Sequence, residues 1–473
     1  MHTRKFSSQD QIAFAKLSGD NNPLHIDRVA ARRYIFGYPV VHGIHSVLWA
    51  LDKWLEKHIG SMNLRSMKAY FLRPILLEEE VQCSDAFGQA NRVEIELSSG
   101  GSISTRIEFE WEKSKHPCFD YLRTHFPEQH APRALTSDEI ASASGALDLC
   151  LNIESATALF PNVFRCISPL QVAVLLGTTR LVGVQCPGLH SLYSELDLSG
   201  HGAYDCTTLN YEVTKIDKRF GEVIMKIAAP SMTGFIKAFV RPAPQTQLSY
   251  MDVKGLVARN EFSGQRALVV GGSRGLGEVV GKLLCAGGAE AKITYYQGKE
   301  DAHRVVDQIR SDACVADFFR LDILNPKPDV LDALLKAWGP THLYYFATPF
   351  IFSTVNGIFS PNLFQKFCDY YVIGFANTVN QLRSYGLKNV FYPSTVFIDE
   401  LPMNMAEYVA AKVAGEMLCN FLEKSHREMT IYRPRLPRMA TDQTASLVPI
   451  INLDPVPVMI EALRSFRDLS ISR

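Results

Sequence analysis

ALVVGGSRGLGEVVGKLLCAGG, residues 267–288, constrains the fold more than any other stretch of this chain. Aliphatic residues run straight into glycines, and an apolar helical pattern follows at once. A fully apolar strand that feeds a glycine turn and a helix is one arm of a βαβ unit, whose parallel sheet is covered on both faces. The runs AKITYY, ADFFRLDI, THLYYFAT, NVFYPST and MTIYRPRL recur downstream with helical stretches between them. Strands alternating with helices predict an α/β doubly wound parallel sheet over residues 260–473.

The preceding half reads differently. Within residues 1–115 a helical pattern, QDQIAFAKLSG, is followed by the long apolar VVHGIHSVLWALDKWLEKH. Four runs of strand character come next: SMKAYFLRP, LEEEVQCSDAFG, NRVEIELSSG and SISTRIEFEWEK. One long helix beside consecutive strands predicts an α+β unit in which a sheet wraps the helix. Residues 116–139, inside a polar and proline-containing stretch, read as a linker. From 140 to 248 the order recurs: the apolar CISPLQVAVLLGTTRLVGVQC, then LHSLYSELDLSG, TTLNYEVTKID, GEVIMKIAAP and GFIKAFVRP. The repetition lies in the order of elements, not in the letters, and predicts a duplicated fold.

Totals narrow the partners. Lys plus Arg and Asp plus Glu both number 49, so a basic nucleic-acid surface is not expected. The ten cysteines are scattered with no CxxC pair, which predicts neither a zinc site nor a disulfide framework. The longest apolar stretch is interrupted by Thr178, Thr179 and Arg180, so no membrane span is expected. The opening MHTRKFSSQDQ has no apolar core of a leader, and a cytoplasmic location is the expectation.

Two constellations carry chemistry. FAKLSGDNNPLHIDRVAA, residues 14–31, sets Asp20 and His25 five residues apart across an Asn-Pro turn. Two groups of different pKa in that arrangement can face one water, one as base and one as acid. The stretch, with FGYPVVHG at 36–43, resembles the MaoC-like (R)-specific enoyl-thioester hydratases. The resemblance implies a hot-dog fold, twice over, in which Asp20 and His25 grip a water. Asn22 shapes the loop on the substrate side, and the helix start at His42–Gly43 offers a backbone N–H to the thioester oxygen, with Gly43 allowing close approach. No such motif recurs in the second half. His190 there reads as structural, and the half as degenerate.

The second constellation lies in the α/β region. Gly271, Gly275 and Gly277 open a helix directly after a strand, a context suited to a pyrophosphate. Tyr408 and Lys412 lie four apart on one helix face, where the ammonium favours the phenolate. Ser394 and Thr395 stand thirteen to fourteen residues upstream. VGGSRGLG, LDI at Asp322, FAT at 346–348, the hydroxyl pair and YVAAK together resemble the short-chain dehydrogenase/reductase family. This implies Tyr408 as acid/base, Lys412 holding the nicotinamide ribose, and Ser394 or Thr395 orienting a carbonyl. It also implies Gly271, Ser273, Arg274, Gly275, Leu276, Gly277, Asp322 and Ala347 around the nucleotide. The strand after the turn ends ITYYQGK without an acid to meet a ribose hydroxyl, and Arg274 can meet a 2′-phosphate; NADP(H) is expected over NAD(H). Two departures stand out: Tyr371 occupies the position of the usual relay Asn, and only about sixty residues follow Lys412.

The two resemblances share an (R)-3-hydroxyacyl thioester. They predict a bifunctional 3-oxoacyl-thioester reductase and dehydratase/hydratase on acyl-CoA or acyl-carrier protein, as a homodimer without a metal, in biosynthetic chain building. An active hydratase with a non-catalytic nucleotide-binding domain, and a catabolic hydratase/3-hydroxyacyl dehydrogenase, are the alternatives. A hot-dog thioesterase is disfavoured by the Asp20–His25 motif.

Overall fold

The computed structural model of the chain describes residues 2–84, 87–89, 91–114, 124–200, 207–326, 332, 335–352 and 359–472. Contacts gather into two compact units, Met1–Ala243 with Ser446–Pro449, and Pro244–Ala445 with Ile450–Arg473.

In the first unit, β1 (His2–Lys5) leads into α1 (Ser8–Ser18), which Ser7 and Asp10 start with reciprocal side-chain and backbone hydrogen bonds. Gly19, at φ 79°, ends it. After the functional loop, α2 (Gly43–Leu55) precedes β2 (Met62–Phe71), β3 (Glu80–Cys83), β4 (Phe87–Gln89), β5 (Arg92–Ser99) and β6 (Ser102–Lys113). The second half repeats the order. β7 (Ser144–Asp148) comes first, then α3 (Pro169–Arg180), a π-helical turn at Leu181–Gln185, and β8 (Ser191–Gly200), β9 (Thr208–Asp217), β10 (Glu222–Ala228) and β11 (Met232–Val240).

These strands form one antiparallel sheet in the order β1-β3-β5-β6-β2-β8-β11-β10-β9-β7, with β4 on β5. The halves join where β2 pairs with β8, Ser66 opposite Ser199 through Tyr70 opposite Glu195. Both long helices lie on the sheet in one continuous core. Ile44, Val47, Leu48 and Leu51 of α2 and Val172, Leu175 and Leu176 of α3 pack with Met67, Ile107, Leu196 and Ile236 of the strands. Every residue of α3 is buried, which explains an apolar pattern that runs around the whole helix.

The structure adds two edge strands to the sequence reading. The short strands β1 and β7 were not foreseen. Of the stretch 116–139, residues 116–123 lie outside the described ones, and Thr136 caps a helical turn at Ser137–Ala141. No helix among the described residues is long and apolar enough to cross a membrane.

The second unit holds β12 (Arg266–Val270), β13 (Glu290–Tyr295), β14 (Ala316–Arg320), β15 (His342–Tyr345), β16 (Asn389–Phe391), β17 (Ser394–Thr395), β18 (Thr430–Tyr432) and β19 (Arg435–Leu436). The parallel order β14-β13-β12-β15-β16-β18 is third-second-first-fourth-fifth-sixth, the doubly wound arrangement that binds ligands where the order reverses. Alternate residues of β12 serve opposite faces. Ala267 and Val269 join a core with Val280 and Leu284 of α4 (Gly275–Ala286), and Leu268 and Val270 join another with Val379 and Leu422. Leu422 belongs to α5 (Ala406–Ser425), and α6 (Pro455–Ile471) covers the first face with Met459 and Phe466.

Leu48 is fully buried beneath the sheet. Leu48→Ala is expected to destabilise the first unit by about 2–5 kcal/mol, read as a lower urea midpoint; an unchanged midpoint would contradict the packing described.

Candidate active sites

The first site grows from the break between α1 and the single turn Pro23–Ile26. Asn22 caps that turn, its Oδ1 accepting from Leu24 N–H at 3.0 Å. Its Nδ2 lies 2.9 Å from Gly183 O and 3.3 Å from both Gly188 O and Leu189 O. The side chain is spent on backbone, so Asn22 is a tie for the loop and not a substrate contact. Asp20 is buried. Its Oδ2 accepts from Thr179 Oγ1 at 2.6 Å and its Oδ1 from Asn22 N–H at 3.3 Å. Burial pushes the carboxyl up to about 7, against the pull of those two donors.

His25 Nδ1 stands 2.8 Å from Val40 O. A carbonyl only accepts, so Nδ1 carries the proton and Nε2 the lone pair. Burial drives this imidazole down to about 4, with the Val40 carbonyl opposing and the Arg241 guanidinium adding to the effect. The His42 ring stacks on His25 at 3.8 Å between centroids. Asp20, His25 and His42 offer atoms within 4.8 Å of one another, a group able to hold a water or a cation.

The expected role of His42 as a backbone donor is corrected. Its N–H is already given to Gln11 Oε1 at 3.0 Å, and its Nδ1 lies 2.8 Å from the same oxygen. Gly43, the first residue of α2, starts the helix with an N–H that has no intrahelical partner. Its missing side chain makes room for Phe71, whose ring would lie 2.7 Å from a Cβ there, so protein and not substrate fills that space. The sequence reading missed Thr179, Gly183 and Gln11. The signal for Thr179 was the polar pair inside an apolar helix.

The second site begins at the end of β12. Gly271 has φ 80°, and a Cβ on it would sit 2.9 Å from the Phe346 carbonyl, beside Ala347. A Cβ on Gly277 would sit 2.3 Å from Gly271 O. Gly275, at φ 57°, has only Thr441 near it, at 3.9 Å, which leaves room for a phosphate at the N-terminus of α4. Arg274 Nη1 lies 3.4 Å from Asp442 Oδ2. Ser273 is buried, and Leu276 packs on the core. Asp322 accepts from Leu324 N–H at 3.0 Å and Asn325 N–H at 3.3 Å, closing the turn after β14.

Lys412 Nζ donates to Pro393 O at 2.7 Å and hangs 4.0 Å above the Tyr371 ring centre, 5.0 Å from that of Tyr392 and 5.9 Å from that of Tyr408. Burial lowers it to about 7. Burial raises the Tyr408 phenol to about 12, with the Thr395 hydroxyl pulling it down. At both groups desolvation is the largest influence. The role expected of Ser394 is corrected. Neighbours in a strand face opposite ways, and Ser394 Oγ donates to Glu416 Oε1 at 2.5 Å, where Arg435 clamps the same carboxylate at 2.8 and 3.0 Å. Thr395 is the hydroxyl beside Tyr408. Tyr371, in a π-helical turn at Asp369–Gly374, sets its hydroxyl 2.5 Å from Thr348 Oγ1.

Residues 1–97 are a MaoC-like domain, matching the family model described as MaoC like domain. A curated Arabidopsis thaliana protein, the mitochondrial 3-hydroxyacyl-[acyl-carrier-protein] dehydratase, is 34% identical over 79 residues, 17% of this chain. The chain spans 47% of that relative's length. Among solved structures, a short chain dehydrogenase from Burkholderia cenocepacia in complex with NADP is 20% identical, covering 45% of this chain and 95% of that one at TM-score 0.39. A 3-oxoacyl (acyl-carrier-protein) reductase from Agrobacterium tumefaciens with NADP bound is 14% identical, covering 44% and 90% at TM-score 0.38.

An NMR titration should find His25 in the Nδ1–H form and neutral down to about pH 4. A midpoint near the ordinary value of about 6.5 would contradict the desolvation described for this half-buried ring.

Proposed function

We propose that this chain is a bifunctional enzyme in which a double hot-dog unit hydrates and dehydrates (R)-3-hydroxyacyl thioesters and a reductase unit interconverts 3-oxoacyl and 3-hydroxyacyl thioesters with NADP(H). The observation that carries the proposal is the Asp20–His25 pair, whose ionisations are displaced in opposite directions inside a MaoC-like domain.

Near neutrality His25 Nε2 is free to accept a proton and Asp20 retains a substantial share of its own. In hydration, His25 takes a proton from water, the hydroxyl oxygen bonds to the β carbon, and Asp20 delivers its proton to the α carbon. The thioester oxygen gathers negative charge in between, and the free N–H groups at the start of α2 stabilise it. One proton then returns from His25 to Asp20, leaving the pair as it began. Dehydration is the reverse, with the Asp20 carboxylate taking the α proton. Asp20 needs its proton for hydration and loses it as pH rises through its pKa, so the hydration rate is expected to fall above about pH 7.

The order of the parallel sheet and the open glycine turn support a dinucleotide in the second unit. Arg274 and the acid-free end of β13 favour a 2′-phosphate. The nicotinamide supplies hydride when bound. Of this chain's residues, Thr395 orients the carbonyl, Tyr408 exchanges a proton at its oxygen, and Lys412 holds the ribose. Acyl-CoA or an acyl-carrier protein is the substrate form, and a homodimer the assembly. A second reading, in which the second unit binds nucleotide without turnover, is favoured by Tyr371 beneath Lys412 in place of a relay amide.

With a 3-oxoacyl thioester and NADPH, the protein is expected to consume NADPH and form enoyl product. Tyr408→Phe should abolish reduction and spare hydration; no reduction by the parent would establish the second reading. Asp20→Asn and His25→Ala should each slow crotonyl-thioester hydration by about 10²–10⁴-fold, and parental rates in both would overturn the hydratase reading. EDTA should leave hydration unchanged, whereas loss restored by a divalent ion would turn the Asp20–His25–His42 group into a metal site.

A further inference from the structure

The motif half of the first unit does not hold its carboxylate alone: Asn22 N–H reaches Oδ1 at 3.3 Å, and Oδ2 is held from the other half. Asp20 receives a side-chain hydrogen bond from Thr179, 159 residues away on α3. Thr178, its neighbour, spends its hydroxyl on the Leu175 carbonyl of the same helix at 2.7 Å, the ordinary fate of a threonine inside a helix. Thr179 instead turns outward across the core.

Four residues on, Gly183 lies directly under the carboxyl group. A Cβ there would sit 2.0 Å from Oδ1, 2.5 Å from Cγ and 2.6 Å from Oδ2. Gly183 belongs to the π-helical turn Leu181–Gln185, and its carbonyl accepts from Asn22 Nδ2. Widened turns of this kind occur where a helix serves a site. The turn thus holds the loop by a hydrogen bond to the Asn22 amide and packs Gly183 against the Asp20 carboxyl.

We infer that Thr179 is a positioning residue for the hydratase reaction and that Thr179 and Gly183 together form a seat, supplied by the half lacking the motif, that fixes which oxygen of Asp20 faces the substrate. This rests on the hydratase reading above. Oδ2 takes the Thr179 hydroxyl, and Oδ1, packed over Gly183, takes the Asn22 N–H, so the carboxyl is held in one orientation. A threonine hydroxyl donates to the carboxylate more strongly than to the acid, so it also holds the ionised form down in energy.

The charged and titratable groups facing Asp20 are His25 on the Pro23–Ile26 turn and His42 at the start of α2, with His42 Nε2 at 4.0 Å from Oδ2. Arg180 on α3 packs against Gly19 but gives its guanidinium to the Asp148 carbonyl. Arg241, on the residue after β11, acts on His25. None of these is altered by a change at position 179.

The test compares Thr179→Val, which keeps the shape and loses the hydroxyl, with Thr179→Ser, which keeps the hydroxyl. In the full-length protein with crotonyl-CoA, Thr179→Val is expected to lower kcat by about tenfold or more with KM within about twofold, and to move the alkaline limb of kcat to higher pH. Thr179→Ser should restore both. A carbon-13 titration of the Asp20 carboxyl should show its midpoint rising in Thr179→Val alone. Equal kcat and pH profiles in parent and Thr179→Val would overturn the inference, as would a kcat loss that Thr179→Ser shares. A parent that does not hydrate crotonyl-CoA would end the hydratase reading, while the carboxyl titration would still decide whether Thr179 seats Asp20: an unmoved midpoint refutes it.

Discussion

The pairing of β2 with β8 is the contact on which the first unit depends. It turns two helix-and-sheet halves into one sheet with one core, and it puts α3 alongside the loop that carries Asp20 and His25. Gly200, on the last residue of β8, marks how closely the two strands run: a Cβ there would meet Leu64 O at 2.5 Å. Without that junction, Asn22 would have no carbonyls to hold and Asp20 no hydroxyl. Leaving buried polar groups unpaired in that way costs on the order of 1–3 kcal/mol each.

Burial then sets the chemistry. A carboxyl lifted to about 7 and an imidazole lowered to about 4 meet across one turn, and the cause in both cases is chiefly desolvation. In the second unit desolvation acts on Tyr408 and Lys412 as well, but there it pushes the phenol away from neutrality. A lysine held over tyrosine faces is still stabilised by the ring quadrupoles, which is the part Tyr371 plays. The two sites therefore stand on different footings in the absence of ligands: one has its ionisations already displaced towards acid and base work, and the other does not.

What the sequence disclosed follows from distance along the chain. Asp20 and His25 are five residues apart, so a turn rule suffices to bring them together. The glycine turn is equally local, and strands alternating with helices give the parallel sheet by period alone. Ser394 and Thr395 could not be separated, because which neighbour faces Tyr408 depends on strand orientation that a sequence does not print. Asn22 and His42 were assigned to substrate because their true partners, Gly183 and Gln11, lie 161 and 31 residues away. β1 and β7 are edge strands of four and five residues whose identity comes from the partners they dock on, β3 and β9.

Asn22 and its three carbonyl partners, spread over Gly183, Gly188 and Leu189, have a temporal consequence. Contacts of such large sequence separation form only after a long loop has closed, and they come late in folding. During synthesis the ribosome releases the complete acid–imidazole signature long before the chain that braces it exists. A nascent protein halted near residue 115 would display every letter of the motif but lack the carbonyls and the hydroxyl that the other half supplies.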